Sequence, residues 1–263
     1  MKAIIRTALT LPALLLLTIA AASAQESVQV KDATGSCVIA NITPEKAKET
    51  ALFNAKIEAL RMAGIPEQLL SEITQAGEMF TEASVSNVGG DVTNYKVTSE
   101  DIEVMQQGKA KVMVYKVVIN ATVVKYDKKA DPTFQLQVDG IKSAYKEKEL
   151  LSFTVTPHQN GYLRIFLFEE DGSGEQIYPD GTREPDMIFT QDGTIKFPLD
   201  GYYVLSKSDR TKAKEINSLL FLFFKDDIRF AESHITRQAV DSWKAKIPLD
   251  RRTQVFREFA IER

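Results

Sequence analysis

Five Asp-Gly pairs pace the chain beyond residue 132: Asp139-Gly140, Asp171-Gly172, Asp180-Gly181, Asp192-Gly193 and Asp200-Gly201. Such pairs supply the positive backbone angles of tight hairpin turns, so their close succession commits this half to short antiparallel strands. The clearest strands fall at Leu163–Phe168, Thr194–Phe197, Tyr202–Leu205 and Leu219–Phe224. Ile235–Ala245, with Ala239, Val240 and Trp243, reads as a late helix, and Arg252–Ile261 as a closing strand. Residues 131–263 are therefore expected to form a β-rich, sandwich-like domain with a C-terminal helix.

The preceding half has another rhythm. After a polar lead from Gln25 to Ser36, Thr43-Pro44-Glu45 presents an N-cap hydroxyl, a first-turn proline and an acid where a helix dipole favours one. The helix that follows carries Ala47, Ala51, Ala55 and Ala59 at i, i+4 spacing, small enough to lie close on a sheet, and ends at Gly64 and Pro66. A second short helix is expected over Pro66–Ala76 and a strand over Phe80–Val88. Val92–Met105 and Lys111–Tyr126 flank the turn Gln106-Gln107-Gly108-Lys109 as a long hairpin, with a change of phase near Lys116 that suggests a β-bulge. The stretch KYDKKADP, Lys125 to Pro132, marks the boundary of this α+β domain at residues 25–130, in which a helix lies on antiparallel sheet.

Residues 1–24 read as a bacterial signal peptide: basic Met1-Lys2 and Arg6, an apolar run from Leu9 to Ala22, and small residues Ala22-Ser23-Ala24 for cleavage before Gln25. The expected compartment is the periplasm or outer envelope. The longest later apolar run, Leu219–Phe224, is too short to span a membrane. With 33 Lys and Arg against 36 Asp and Glu, a net charge of -3 gives no global attraction to nucleic acid. One cysteine and two histidines exclude a disulfide framework, a thiolate-only metal site and a histidine cage.

Two resemblances add to this reading. The segments KAKETALFNAKIEALRMAGI, SVSNVGGDVTNYKV and KAKVMVYKVVINATV look like the N-terminal domain of flagellar T-ring assembly proteins and related envelope lipoproteins, which implies Ala-rich helix on antiparallel sheet. From Gln135 to about Phe230, AYKEKELLSFTV and NGYLRIFLFEEDGSGEQIYP, with Gly161-Tyr162-Leu163 and Tyr178-Pro179, resemble the bacterial family called domain of unknown function 4384. Lys148 stands where that family often has glycine. Neither resemblance implies catalytic residues.

The chemistry-bearing residues are sparse. No G-x-S-x-G elbow, Walker loop, dinucleotide fingerprint, H-E-x-x-H or C-x-x-C is present. His158 falls in the loop TPHQNG and His234 at a helix start, where surface or capping roles suit them better than catalysis. Cys37 reads as a partly buried strand thiol. EEDGSGEQIYPD, Glu169 to Asp180, has Glu169, Asp171 and Ser173 at alternate positions as a calcium loop would, yet a surface hairpin explains the same residues. Tyr162, Phe166, Phe168, Tyr178, Tyr202 and Tyr203 are expected mostly in the core.

The expectation is a non-catalytic secreted envelope protein without a cofactor, an assembly or binding factor for a protein or glycan partner. The alternative is a calcium-dependent carbohydrate-binding protein or a secreted hydrolase. Loops between strands carry binding more often than cores do, so the candidate contact residues are His158, Asn160, Gly161, Asp171, Gly172 and Gly174.

Overall fold

The computed structural model describes residues 26–40, 42–66, 89–107, 110–181 and 186–263. The segment 1–24 expected as a signal peptide, the strand expected at Phe80–Val88 and, beyond Pro66 itself, the helix expected at Pro66–Ala76 lie outside the described residues. The fold is α+β and rich in strand.

In the first half, β1 (Ser27–Val38), β2 (Gly90–Gln107) and β3 (Ala110–Lys125) form an antiparallel sheet in the order β1-β3-β2. Helix α1 (Pro44–Met62) begins as its sequence dictates, with Thr43 Oγ1 accepting from the Lys46 N–H at 3.3 Å. Its alanine stripe, Ala47, Ala51, Ala55 and Ala59, is buried against Val30, Ala33, Val117, Ile119 and Ala121 of the sheet. The approach is close enough that a Cβ on Gly35 of β1 would sit 2.1 Å from Ala51 O. Helix α1 lies over β1 and β3 and only grazes β2.

Two expectations need correction here. The polar lead from Gln25 to Ser36 is strand β1, paired with β3 from Ser27 to Val38. Its alternation is hidden because an extra residue interrupts the register between Val30 and Ala33, where Asp32 takes a φ of 58° and its N–H donates to Asn120 Oδ1. The bulge expected near Lys116 is absent from β3, whose odd residues Tyr115 to Val123 all face α1. The irregularities sit in the partners instead, in β1 and twice in β2, between Val92 and Asn94 and between Val97 and Ser99. Val112 and Val114 on the opposite face produced the apparent change of phase.

The second half packs a large sheet against smaller ones. Strands β4 (Leu136–Asp139), β7 (Phe153–Pro157) and β11 (Ile195–Phe197) pair in the order β11-β7-β4, while β6 (Leu150–Leu151) pairs β12 (Tyr203–Val204). The large sheet has the order β10-β8-β13-β14-β5, with β9 also on β8; these are β5 (Ala144–Lys146), β8 (Gly161–Phe168), β9 (Gly174–Tyr178), β10 (Ile188–Phe189), β13 (Lys214–Phe224) and β14 (Arg252–Glu262). The apolar run at the end of β13 is buried on both faces. Leu219, Phe221 and Phe223 join Phe153, Val155 and Phe197 of the small sheet, whereas Leu220, Leu222 and Phe224 join Val240 of α2 (Arg237–Lys244). Aromatic rings fill the first core, with Phe153 stacked on Phe197 at 5.3 Å and Phe134 on Phe223 at 5.0 Å. Phe166, Phe168 and Tyr178 are core as expected, while Tyr202 is 70% exposed. Lys148 holds a φ of 69°, the left-handed conformation that glycine adopts without steric cost.

The two halves meet at a buried polar cluster. Tyr126, just past β3, donates its hydroxyl to Asp91 Oδ2 at 2.7 Å and accepts from Arg252 Nη2 at 2.7 Å. Asp91 Oδ2 also lies 3.5 Å from Arg252 Nη2 and 3.7 Å from Lys244 Nζ, which is 3.0 Å from Asp241 Oδ1. Burial, with the Asp91 charge beside it, holds the Tyr126 hydroxyl far above the ordinary tyrosine pKa. Ser242 Oγ–H donates to Thr93 O at 2.8 Å, and Gln238 bonds Asn94, so α2 clasps the start of β2. The charged stretch after β3 is tied down further by Lys128 to Asp250 and Lys225 to Asp131.

Candidate functional site

The six candidate loop residues do not form one site. His158, Asn160 and Gly161 lie at the start of β8, and Asp171, Gly172 and Gly174 beyond its other end, so the length of β8 separates them, about 23 Å at 3.3 Å per residue. Gly161 is a packing residue: a Cβ there would lie 2.5 Å from Phe224 O and 2.6 Å from Phe223 Cζ. Asn160 Oδ1 accepts from the Gln191 N–H at 2.7 Å and fastens a neighbouring loop.

The Asp171 turn is a seat for α2. Asp171 Oδ1 accepts from Ser173 N–H and Oγ–H at 2.8 and 2.6 Å, and these bonds hold its carboxyl below the usual aspartate range. The Gly174 N–H donates to Ile235 O and the Arg237 N–H to Gly172 O, which clamps the turn to the helix start. A Cβ on Gly174 would meet Leu167 O at 2.5 Å.

His158 faces an opening. It joins Gln135, Leu136, Gln137, Val138, Asp139 and Arg257 around a shallow cleft of about 320 Å³ between edge strand β4 and β14. The bond from His158 N–H to Gln135 O sets the phase of pairing with β7 and turns the N–H and C=O of Leu136 and Val138 toward the cleft. Arg257 donates to Phe256 O at 2.9 Å and has no carboxylate within ion-pair distance among the described residues. Asp139 on the opposite wall accepts from Gln137 Nε2 at 2.8 Å, so the cleft offers both signs of charge.

The larger exposed feature lies on β2, which α1 leaves uncovered. Pairing of Val97 with Ile119, Glu100 with Val117, Ile102 with Tyr115 and Val104 with Met113 places these β2 residues on the helix-facing side. Their partners Ile119 and Val117 are buried, yet Val97 is 38%, Ile102 46%, Val104 65% and Met113 52% exposed. One matched ion pair interrupts the stripe between Val97 and Ile102: Lys48 of α1 lies 2.7 Å from Glu100, which also accepts from Tyr115 Oη. The bond from Lys48, then that from Tyr115, lowers the Glu100 carboxyl pKa. On the opposite face Asp101 and Glu103 form an acidic row, with Lys116 3.2 Å from Glu103.

Beyond Asn94 the outer edge of β2 pairs with no strand among the described residues. The Ile102 N–H, turned toward that edge, donates to its own neighbour, Asp101 Oδ1, at 2.8 Å. Sequence reading centred on the loops missed this edge. Its signal was present in SEDIEVM, where acidic and apolar residues alternate as they do on a guarded edge strand.

Arg164, 1% exposed, is bidentate to Asp186 at 2.8 and 2.9 Å and bonds Asp227 at 2.7 Å, which anchors two loops to β8. Among the described residues no three His, Cys, Asp or Glu side chains converge as a metal site, and no helix is long and apolar enough to cross a membrane. No protein-family model matches the chain, and no curated protein matches it.

Proposed function

We propose that this is a secreted bacterial envelope protein that acts without catalysis as a binding or assembly factor, and that its partner is a protein. The observation that carries the reading is the exposed apolar group of Ile102, Val104 and Met113, with Val97 farther along the same face, beside a strand edge that pairs with no strand among the described residues. Neighbouring exposed apolar side chains such as Ile102, Val104 and Met113 are costly to expose and mark docking sites. The signal-peptide pattern supports the compartment. The cleft at His158 and Arg257 offers the same partner a second contact on the C-terminal half.

The test places a photocrosslinking residue at Val104 or Met113 in cells, with Lys129 as an exposed control outside the stripe. The expected result is one defined protein adduct from both stripe positions and none from the control. Adducts from no stripe position, or turnover of an ester, peptide or glycoside by the pure protein that one side-chain replacement abolishes, would overturn the reading.

A further inference from the structure

We infer that the outer edge of β2 from Lys96 to Gln107, which pairs with no strand among the described residues, takes up an extended partner segment as an added strand, and that this segment alternates basic and apolar residues. The inference rests on the proposed function and specifies its partner. Edge strands offer unpaired N–H and C=O groups that an extended peptide can complete, with side-chain chemistry on the two faces setting specificity.

The pairing phase shows which groups are on offer. The Ile102 N–H points away from β3 to its own Asp101 carboxylate, so by the two-residue period Glu100, Ile102 and Val104 turn their backbone groups outward. Ile102 and Val104 then supply an apolar row on the α1 side, while Asp101 and Glu103 supply an acidic row on the other. An incoming strand with apolar residues on the first face and lysine or arginine on the second matches both rows. A partner cation that draws the Asp101 carboxylate to itself also releases the Ile102 N–H for pairing.

A second copy of this chain is the poorer occupant. If two β2 strands pair antiparallel with the two-fold axis at Asp101, Ile102 or Glu103, then Asp101 or Glu103 of one copy faces an acid of the other. Like charges directly opposite are destabilising. The edge is thus guarded against self-pairing by the residues that would recruit a basic strand.

The experiment uses the mature protein and three labelled octapeptides: alternating lysine and valine, the same with glutamate for lysine, and one with four lysines followed by four valines. Anisotropy should show the first binding at least tenfold tighter than the other two, with new hydrogen-exchange protection at Glu100, Ile102 and Val104. The doubly reversed variant, Asp101→Lys with Glu103→Lys, should prefer the glutamate peptide; its circular dichroism verifies folding, and Asp101→Asn alone should weaken the lysine peptide. Equal binding of lysine and glutamate peptides, or protection elsewhere, overturns the inference. If the Val104 crosslink in cells persists under that outcome, the docking function stands and only strand addition falls.

Discussion

Replacing Asp91 by alanine should cost far more than an ordinary polar substitution. Asp91 is 6% exposed, and Lys244 and Arg252 beside it are 2% and 3% exposed, so solvent cannot replace the lost carboxylate. Lys244 keeps Asp241 at 3.0 Å, and Arg252 keeps only neutral acceptors, Ile247 O at 3.1 Å and the Tyr126 hydroxyl. Breaking a buried pair in this way costs about 3–5 kcal/mol, and the surviving Lys244 contact puts the expectation near about 3. In a chain of this size that is a fall of about 6–12 °C in Tm, measurable by calorimetry and by the urea midpoint. Tyr126→Phe, which removes two hydrogen bonds, one given to Asp91 and one accepted from Arg252, but no charge, should cost less, about 1.5–2 kcal/mol. A loss for Asp91→Ala no larger than that of Tyr126→Phe would refute the argument by showing that water reaches the cluster.

Two further substitutions test the surrounding structure. Burial alone would raise the Glu215 carboxyl, yet bonds from Asp209 N–H at 3.0 Å, Ser208 Oγ–H at 2.9 Å and Asn217 Nδ2–H at 3.2 Å hold it below the usual glutamate range. A lowered folded-state pKa stabilises above the unfolded value of about 4.3 and is lost as pH falls through the folded one, so the deficit of Glu215→Gln in urea melts should be full at pH 7 and shrink below pH of about 4. Lys148→Gly should be neutral or raise stability by up to about 1 kcal/mol, because the left-handed conformation strains a side chain that glycine lacks. A clear loss in thermal melts would show that the lysine side chain contributes more than the backbone strain removes.

The legible parts of the fold are those where one local rule acts alone. Thr43-Pro44 started α1 and its alanine stripe named the buried face. At four of the five Asp-Gly pairs the glycine takes a positive φ, and at Asp192-Gly193 the aspartate does so instead. Strand β1 was illegible because Asp32 interrupts its two-residue period and Gly35 contributes no apolar side chain where α1 crosses. The candidate site failed for a different reason. Asp171, Gly172 and Gly174 look like a free loop in sequence, and only tertiary bonds to Ile235 and Arg237 make that turn part of the framework. Arg257 could not be paired with His158 from sequence, since nothing local links β14 to edge strand β4.

The junction and the docking edge are connected by their places on β2. Helix α2 closes the first part of that edge through Ser242 to Thr93 and Gln238 to Asn94, and the stretch that pairs with no strand among the described residues starts immediately after them. A strand added along β2 would therefore meet α2 as a physical stop, which fixes its register against Ile102 and Val104. The stop is only as firm as the cluster holding α2 to the sheet, in which Asp91 of β2 faces Lys244 of α2 and Arg252 at the start of β14. If strand addition occurs as proposed, the C-terminal half would contribute to recognition on the N-terminal sheet, because it would limit where a partner strand can begin. A charge alternation that matches Asp101 and Glu103 in one register mismatches them when slipped by one residue, so on the proposed strand addition a firm stop would make the edge select among basic segments rather than accept any of them.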